Sequence, residues 1–155
     1  MDQTNSIKYQ YIRDPENYER VLTIARRMQR TESRCVFTFS YSMNRPSCWK
    51  HDNSRHHEVK VFERGDQFSR KMARKITSGR LEYLTLGVVP ERDLSYQTLV
   101  CEYGGDVVSE DGSINQLELK LSILKVLESS KNRICSRIAR SEGLRLAPKF
   151  DEDTA

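Results

Sequence analysis

From Cys35 to Met43 the odd positions Cys35, Phe37, Phe39, Tyr41 and Met43 are large and apolar, while Thr38, Ser40 and Ser42 between them are polar. A period of two describes a strand with one buried and one wetter face. Asn44-Arg45-Pro46-Ser47 ends it, and the stretch from Cys48 to His57 is polar and loop-like. Glu58 to Glu63 reads as a second strand, Leu81 to Val89 as a third that stops at Pro90, and Tyr96 to Tyr103 as a fourth that stops at Gly104-Gly105. Val107-Val108 is a short candidate before the turn signal Glu110-Asp111-Gly112, and Tyr9, Tyr11 and Ile12 suggest another near the N-terminus.

Three stretches carry helical spacing instead. Tyr18, Val21, Leu22, Ala25 and Met28 recur at three- and four-residue intervals behind Asp14-Pro15-Glu16. That triplet combines a capping carboxylate, a first-turn proline and an acid at the positive helix end. Arg26, Arg27 and Arg30 follow at the negative end. Asp66 to Ser78 predicts a second helix, with Asp66 as N-cap and Gly79 as C-cap. Phe68, Met72 and Ile76 fall on one side of it, Arg70, Lys71, Arg74 and Lys75 on the other. A long last helix starts at Ser113 or Asn115, each with a capping-box partner, Gln116 or Glu118. It buries Leu117, Leu121, Leu124, Leu127, Ile134 and Ile138 and stops at Gly143.

Neighbouring strands with no helix between them favour antiparallel hairpins. The expected fold is therefore α+β: a single domain with an antiparallel four- to five-stranded sheet packed by about three helices. Residues 1–13 read as an N-terminal extension, 14–148 as the domain and 149–155 as an acidic, disordered tail.

Composition narrows the function classes. A chain of 155 residues is too short for a barrel enzyme of about 250. Leu, Ile, Val and Phe make up 36 residues, enough for a modest core. No run of about 18 apolar residues encodes a transmembrane helix, and the polar start lacks the apolar stretch of a signal peptide. Cys35, Cys48, Cys101 and Cys135 are widely spread with no CxxC pair. Reduced thiols in an intracellular setting, cytoplasm or nucleus, are the expectation. The net charge of +4 is uneven: residues 19–80 hold 15 Lys and Arg against 6 Asp and Glu, the remainder 11 against 16. A basic region with acidic flanks attracts phosphate or another polyanion.

The basic helix is the strongest chemical signal. Arg70, Lys71, Arg74 and Lys75 occupy a single arc of about 140° at helical spacing. Arg26, Arg27 and Arg30 form a second row if the first helix packs alongside. Such clusters bind phosphate backbones by releasing condensed counterions. Trp49 is the candidate for stacking a base. Phe37 and Phe39 belong to the core by their alternation, and Tyr41 is a weaker stacking candidate.

Other constellations are thinner. Cys48-x-x-His51 has ligand-like spacing for zinc, and His56, His57 and Cys35 supply further donors. The second half matches no known finger spacing, and Cys35 would have to leave the core side of its strand, so no metal site is assigned. Cys48 with His51 or His57, or a histidine oriented by Asp52 or Glu58, sketches a reactive pair without any flanking nucleophile motif. There is no Walker loop, GxGxxG, GxSxG or HExxH, so no catalytic residues, enzymatic activity or cofactors are expected. Arg64-Gly65-Asp66 reads as a strand-to-helix turn rather than an integrin tripeptide, and Leu99-Val100-Cys101-Glu102 misplaces the acid of LxCxE by one position. The long last helix covers the sheet in preference to forming a dimer seam.

The pattern points to a non-enzymatic accessory protein that binds RNA or single-stranded DNA through a basic helical face. The alternative is a small interaction or assembly protein, of viral accessory or matrix-like kind, whose basic face meets acidic protein or anionic membrane or whose chain self-associates.

Overall fold

A computed structural model describes residues 6–16, 18–52, 59–85 and 96–147. It contains β1 (Lys8–Arg13), β2 (Arg20–Arg30), β3 (Arg34–Met43), β4 (Cys48–Asp52), β5 (Val59–Glu63), α1 (Arg70–Thr85), β6 (Tyr96–Glu102), α2 (Gln116–Glu128) and α3 (Arg133–Leu146). β1, β2, β3 and β6 form a four-stranded antiparallel sheet in the order β1-β2-β3-β6, and β4 with β5 forms a separate two-stranded sheet. The fold class is α+β, as the pattern implied. No described helix is long and apolar enough to cross a membrane. The four cysteines are free thiols.

The chain divides into two compact units, residues 1–28 with 38–98, and residues 29–37 with 99–155. In the first, β1 and β2 run antiparallel from Lys8↔Arg26 to Ile12↔Leu22, with an irregularity at Ile12/Arg13. The expected first helix is instead the strand β2. Val21 through Arg26 are all buried, six consecutive positions. A strand covered on both faces reads as an unbroken apolar run, which also satisfies helical spacing. The helix-start signal serves a turn: Asp14 Oδ1 accepts the Glu16 N–H at 3.0 Å, and the Asp14 carbonyl accepts the Tyr18 N–H at 2.7 Å. Asp and Pro suit tight turns for the same reason that they suit helix starts.

α1 crosses one face of this sheet. Ser40 Oγ donates to the Thr77 carbonyl at 2.7 Å, an Arg27 guanidinium nitrogen donates to the Leu81 carbonyl at 3.2 Å, and Arg80 donates to the Tyr41 carbonyl. Ala73, Thr77 and Leu81 are the buried positions, one every fourth residue. The expected apolar side is therefore turned outward: Met72 is 55% exposed and Ile76 40%. Small residues face the sheet because β3 presents Ser40 and Ser42 there, which admits close approach. The helix begins at Arg70, where the Ser69 hydroxyl accepts the Met72 N–H at 3.2 Å, so Asp66 is not its cap. It also runs through Gly79 and takes in Leu81–Thr85, which the pattern had placed in a strand. Positions 86–89 of that expected strand lie outside the described residues. The stretch Cys48–Asp52, read as loop, is β4; residues 53–57 lie outside the described residues.

In the second unit a turn at Thr31–Arg34 is closed by the Thr31 N–H to the Arg34 carbonyl, 2.8 Å. In the short candidate Val107-Val108, Val108 makes isolated bridges to Tyr103 and Ile114 and no strand forms. Asp111 accepts from the Ser113 N–H at 2.9 Å and from the Ser109 and Ser113 hydroxyls, which holds its carboxyl at about 2. Gly112 takes a φ of 87°, which favours glycine. The expected last helix is two helices. Asn115 caps α2 through the Glu118 N–H at 3.2 Å, and Asn132 caps α3 through the Ile134 and Cys135 N–H groups at 3.0 and 3.1 Å. Ser129-Ser130-Lys131-Asn132 between them is a run of residues that favours caps over helix interiors. Leu119, Ile123, Leu124 and Leu127 of α2 are buried, as are Cys135, Ile138 and Ala139 of α3, and the two helices pack together. α3 runs past Gly143. The acidic tail lies outside the described residues.

Two substitutions on α1 test its register. A Cβ at Gly79 meets nothing within 4 Å. Gly79→Ala is expected to stabilise by about 0.5–1 kcal/mol, the opposite of what a left-handed cap would give. Leu81→Ala is expected to cost about 2–5 kcal/mol as a buried truncation. Urea denaturation of both variants, with fitted midpoints and slopes, measures each.

Candidate nucleic-acid interface

All four cations of the basic helix, Arg70, Lys71, Arg74 and Lys75, are exposed on α1. They fall into two pairs with different surroundings. The Arg70 guanidinium lies 5.0 Å from the Tyr11 ring centre, and that of Arg74 lies 4.9 Å from Tyr9 and 5.9 Å from Tyr11. Arg74 Nε also donates to the Tyr11 hydroxyl at 2.6 Å. Alternation along β1 puts Tyr9 and Tyr11 on the face that α1 crosses. Stacking occupies the flat face of a guanidinium and leaves edge N–H groups for a planar acceptor such as phosphate. Lys71 and Lys75 point away from the buried stripe and make no ion pair among the described residues. Two other cations of this unit are neutralised: Lys50 meets Glu63 at 2.7 Å, and Arg45 meets Glu63 at 2.9 Å and Asp66 at 3.8 Å.

The expected second row is not a helical row. Arg26, Arg27 and Arg30 lie on β2, where side chains alternate between faces. Arg26 is buried, and burial pushes its pKa down. Arg27 is held by the Leu81 carbonyl, and Arg30 donates to the Gly112 carbonyl at 2.8 Å. Their hydrogen bonds and burial serve the fold.

Trp49 is 67% exposed. It pairs across the hairpin with Phe62, ring centres 5.2 Å apart and planes inclined at 58°. Phe62 is itself half exposed, so the two rings make an aromatic platform on a narrow ribbon. Tyr41 is half-buried on β3. No group of three or more His, Cys, Asp and Glu able to hold a metal occurs among the described residues. Cys35 is buried and Cys48 exposed; the side chain of His51, and all of His56 and His57, lie outside what the structure describes.

A polar lock joins three distant segments beside α1. Glu19 accepts the Ser47 N–H at 3.0 Å and the Ser47 hydroxyl at 2.6 Å, and Ser47 Oγ accepts the Gly65 N–H at 2.8 Å. The Asp66 N–H donates to the Arg45 carbonyl at 2.8 Å, and the Arg45 N–H returns to Asp66 Oδ2 at 2.8 Å. A Cβ at Gly65 would overlap the Arg45 carbonyl oxygen and the Pro46 carbonyl carbon, so only glycine permits this approach. The hydrogen bonds from Ser47 hold the Glu19 carboxyl below its ordinary 4.5. Around the lock opens a cleft of about 710 Å³ lined by Arg13, Arg20, Arg64 and Phe68 with the lock residues. The Phe68 ring meets Tyr11 edge-on at 5.6 Å and carries the Arg20 guanidinium 5.7 Å from its centre.

The chain matches no family model, no curated protein and no solved structure.

Sequence reasoning located the cations of α1 and the exposed tryptophan but missed their partners. Tyr9 and Tyr11 were visible as a short alternating strand, yet nothing local links them to Arg70 and Arg74, more than fifty residues away. Arg13 and Arg20 carried no motif, Arg64 read only as part of a strand-to-helix turn, and Phe68 fell on the apolar side of the expected helix.

The lock carries a prediction. Gly65→Ala is expected to lower the thermal midpoint by several degrees, whereas Ser47→Ala leaves a gentler loss. Glu19 has a depressed folded pKa, so its contribution is present above 4.5 and vanishes as pH falls through the lower folded value. Melting of the native protein and Glu19→Gln across that range is expected to show a gap that closes with acid.

Proposed function

We propose that the protein binds single-stranded nucleic acid without catalysis, gripping phosphates with Arg70, Lys71, Arg74 and Lys75 and stacking a base on Trp49. The observation that carries this reading is the unneutralised state of α1. Lys50 and Arg45 have carboxylate partners, whereas Lys71 and Lys75 have none among the described residues. Arg70 and Arg74 are oriented by tyrosine rings rather than by acids, so their charge stays available to a polyanion. The Trp49–Phe62 pair supports a preference for single strands, because an unstacked base finds a π-face there. Arg26, Arg27 and Arg30 are left out of the phosphate face.

One observation favours a second reading. Met72 and Ile76 are exposed beside Lys71 and Lys75 on the same helix. Apolar and cationic positions side by side suit a surface that meets an acidic protein or an anionic membrane.

Anisotropy titrations of labelled single- and double-stranded oligonucleotides at two salt concentrations test the first reading. We expect salt-sensitive affinity, tighter for the single strand. Combined Lys71→Ala and Lys75→Ala should reduce the slope of log affinity on log salt by about 0.7 per lost phosphate contact. Trp49 is the sole tryptophan, so base stacking is read directly as quenching of its emission. Absence of binding at low salt overturns the reading. Binding to anionic vesicles that Met72→Asp abolishes, without oligonucleotide affinity, selects the second.

A further inference from the structure

The cleft around the Glu19–Ser47–Gly65 lock plays no part in the reading above, and none of the α1 cations lines it. Its lining combines three arginines, Arg13, Arg20 and Arg64, with two carboxylates, Glu19 and Asp66. Equal competition between those signs would leave the cleft indifferent to anions. Both carboxylates keep their charge, so three cations against two anions leave the cleft a surplus of one positive charge, with the carboxylate oxygens hydrogen-bonded within the lock. Both Glu19 oxygens are taken by Ser47, and Asp66 is taken by the Arg45 backbone N–H and faces the Arg45 guanidinium. The arginines are differently placed. Arg20 rests its guanidinium over the Phe68 ring, 5.7 Å from its centre, a contact that leaves its N–H groups available. Arg64 makes no ion pair among the described residues, and its charge lowers the Glu19 pKa less than the two Ser47 hydrogen bonds do. Arg13 spends one guanidinium nitrogen on the Tyr18 carbonyl, 2.7 Å away, and retains the others.

Size narrows the ligand further. A cleft of about 710 Å³ falls in the range of small-molecule sites, roughly 300–1,000 Å³, and is far larger than an inorganic phosphate needs. Gln67 adds an amide and Phe68 an apolar wall for the remainder of a ligand. The Gly65 approach and the Arg45–Asp66 backbone pair hold the Arg64–Asp66 segment against residues 45–47, so the site is built before a ligand arrives.

We propose that this cleft is a binding site for a phosphomonoester of nucleotide size, its dianionic phosphate held by Arg20 and Arg64 with Arg13 beside them. The phosphate accepts paired N–H groups from the guanidinium forks, and the organic part lies along Phe68 and Gln67. No α1 cation lines this site, although Phe68 touches Tyr11, on which Arg70 and Arg74 rest, and the proposal stands whether or not the α1 face binds a nucleic-acid strand.

Calorimetric titration of the full chain with adenosine 5′-monophosphate, adenosine and inorganic phosphate tests it. Adenosine 5′-monophosphate is expected to bind about tenfold or more tighter than adenosine, because the phosphate makes charge-assisted bonds that the nucleoside lacks. Inorganic phosphate should bind more weakly than the nucleotide. Arg64→Gln, at an exposed position, should weaken the nucleotide about fivefold to tenfold, with Arg64→Lys restoring part of it. Arg20→Gln serves as the second variant, and thermal melting establishes that each is folded. Lys125→Ala, at an exposed position on α2, should leave nucleotide affinity unchanged. Equal affinity for adenosine and its monophosphate overturns the proposal, as does a nucleotide affinity that Lys75→Ala lowers and Arg64→Gln does not. Inorganic phosphate binding as tightly as the nucleotide overturns the assignment of ligand size.

Discussion

Burial of β2 on both faces is the constraint from which the first unit follows. Six successive residues, Val21 to Arg26, are shielded from water, so both side-chain rows of the strand must be compatible with an interior. One row, Val21, Thr23 and Ala25, is small and stands on the face crossed by α1 through Ala73 and Thr77. The other, with Leu22 and Ile24, is bulky, stands on the opposite face of the sheet and shares that face with Ile12, the β1 partner of Leu22. The small row lets a helix lie close enough for the Ser40 hydroxyl to reach the Thr77 carbonyl. That proximity turns Met72 and Ile76 outward.

The same docking organises the cations. With Ala73, Thr77 and Leu81 facing the sheet, Arg70 and Arg74 flank β1 and settle on Tyr9 and Tyr11, while Lys71 and Lys75 project into solvent. A cation over an aromatic face keeps its charge while losing conformational freedom. An arginine paired with a carboxylate would be ordered too, but its field would be cancelled at a distance. α1 has only one acid, Glu82, against five cations, so ordering through tyrosine preserves a positive surface.

Beside it, the Glu19–Ser47–Gly65 lock uses the opposite device. Here Glu19 stays charged but is anchored by hydrogen bonds from the Ser47 N–H and hydroxyl, and the three arginines of the cleft outnumber its two carboxylates. Both arrangements leave positive charge exposed within a chain whose net charge is modest, one as an open helical face and one as a concave cleft. The difference in shape separates a surface suited to an extended polyanion from one suited to a discrete ligand.

Local chemistry alone was sufficient for β3, β5, β6, the Asn115 cap and the α+β class, because alternation, turn residues and capping side chains act over a few residues. It was also sufficient for the four cations of α1, since helical spacing survives whichever way the helix is turned. It failed at β2, where burial on both faces erases the period that separates strand from helix, and at Ser129–Asn132, where caps were hidden inside a long amphipathic run. Which face of α1 is buried, why Arg26 is interior, and how Tyr11, Phe68 and Arg20 meet were settled only by tertiary packing. Those outcomes depend on small residues on other strands, and on a glycine contact between segments eighteen residues apart in the chain. Hydrophobicity ranks Ile76 above Ala73; the space available over Ser40 reverses the order.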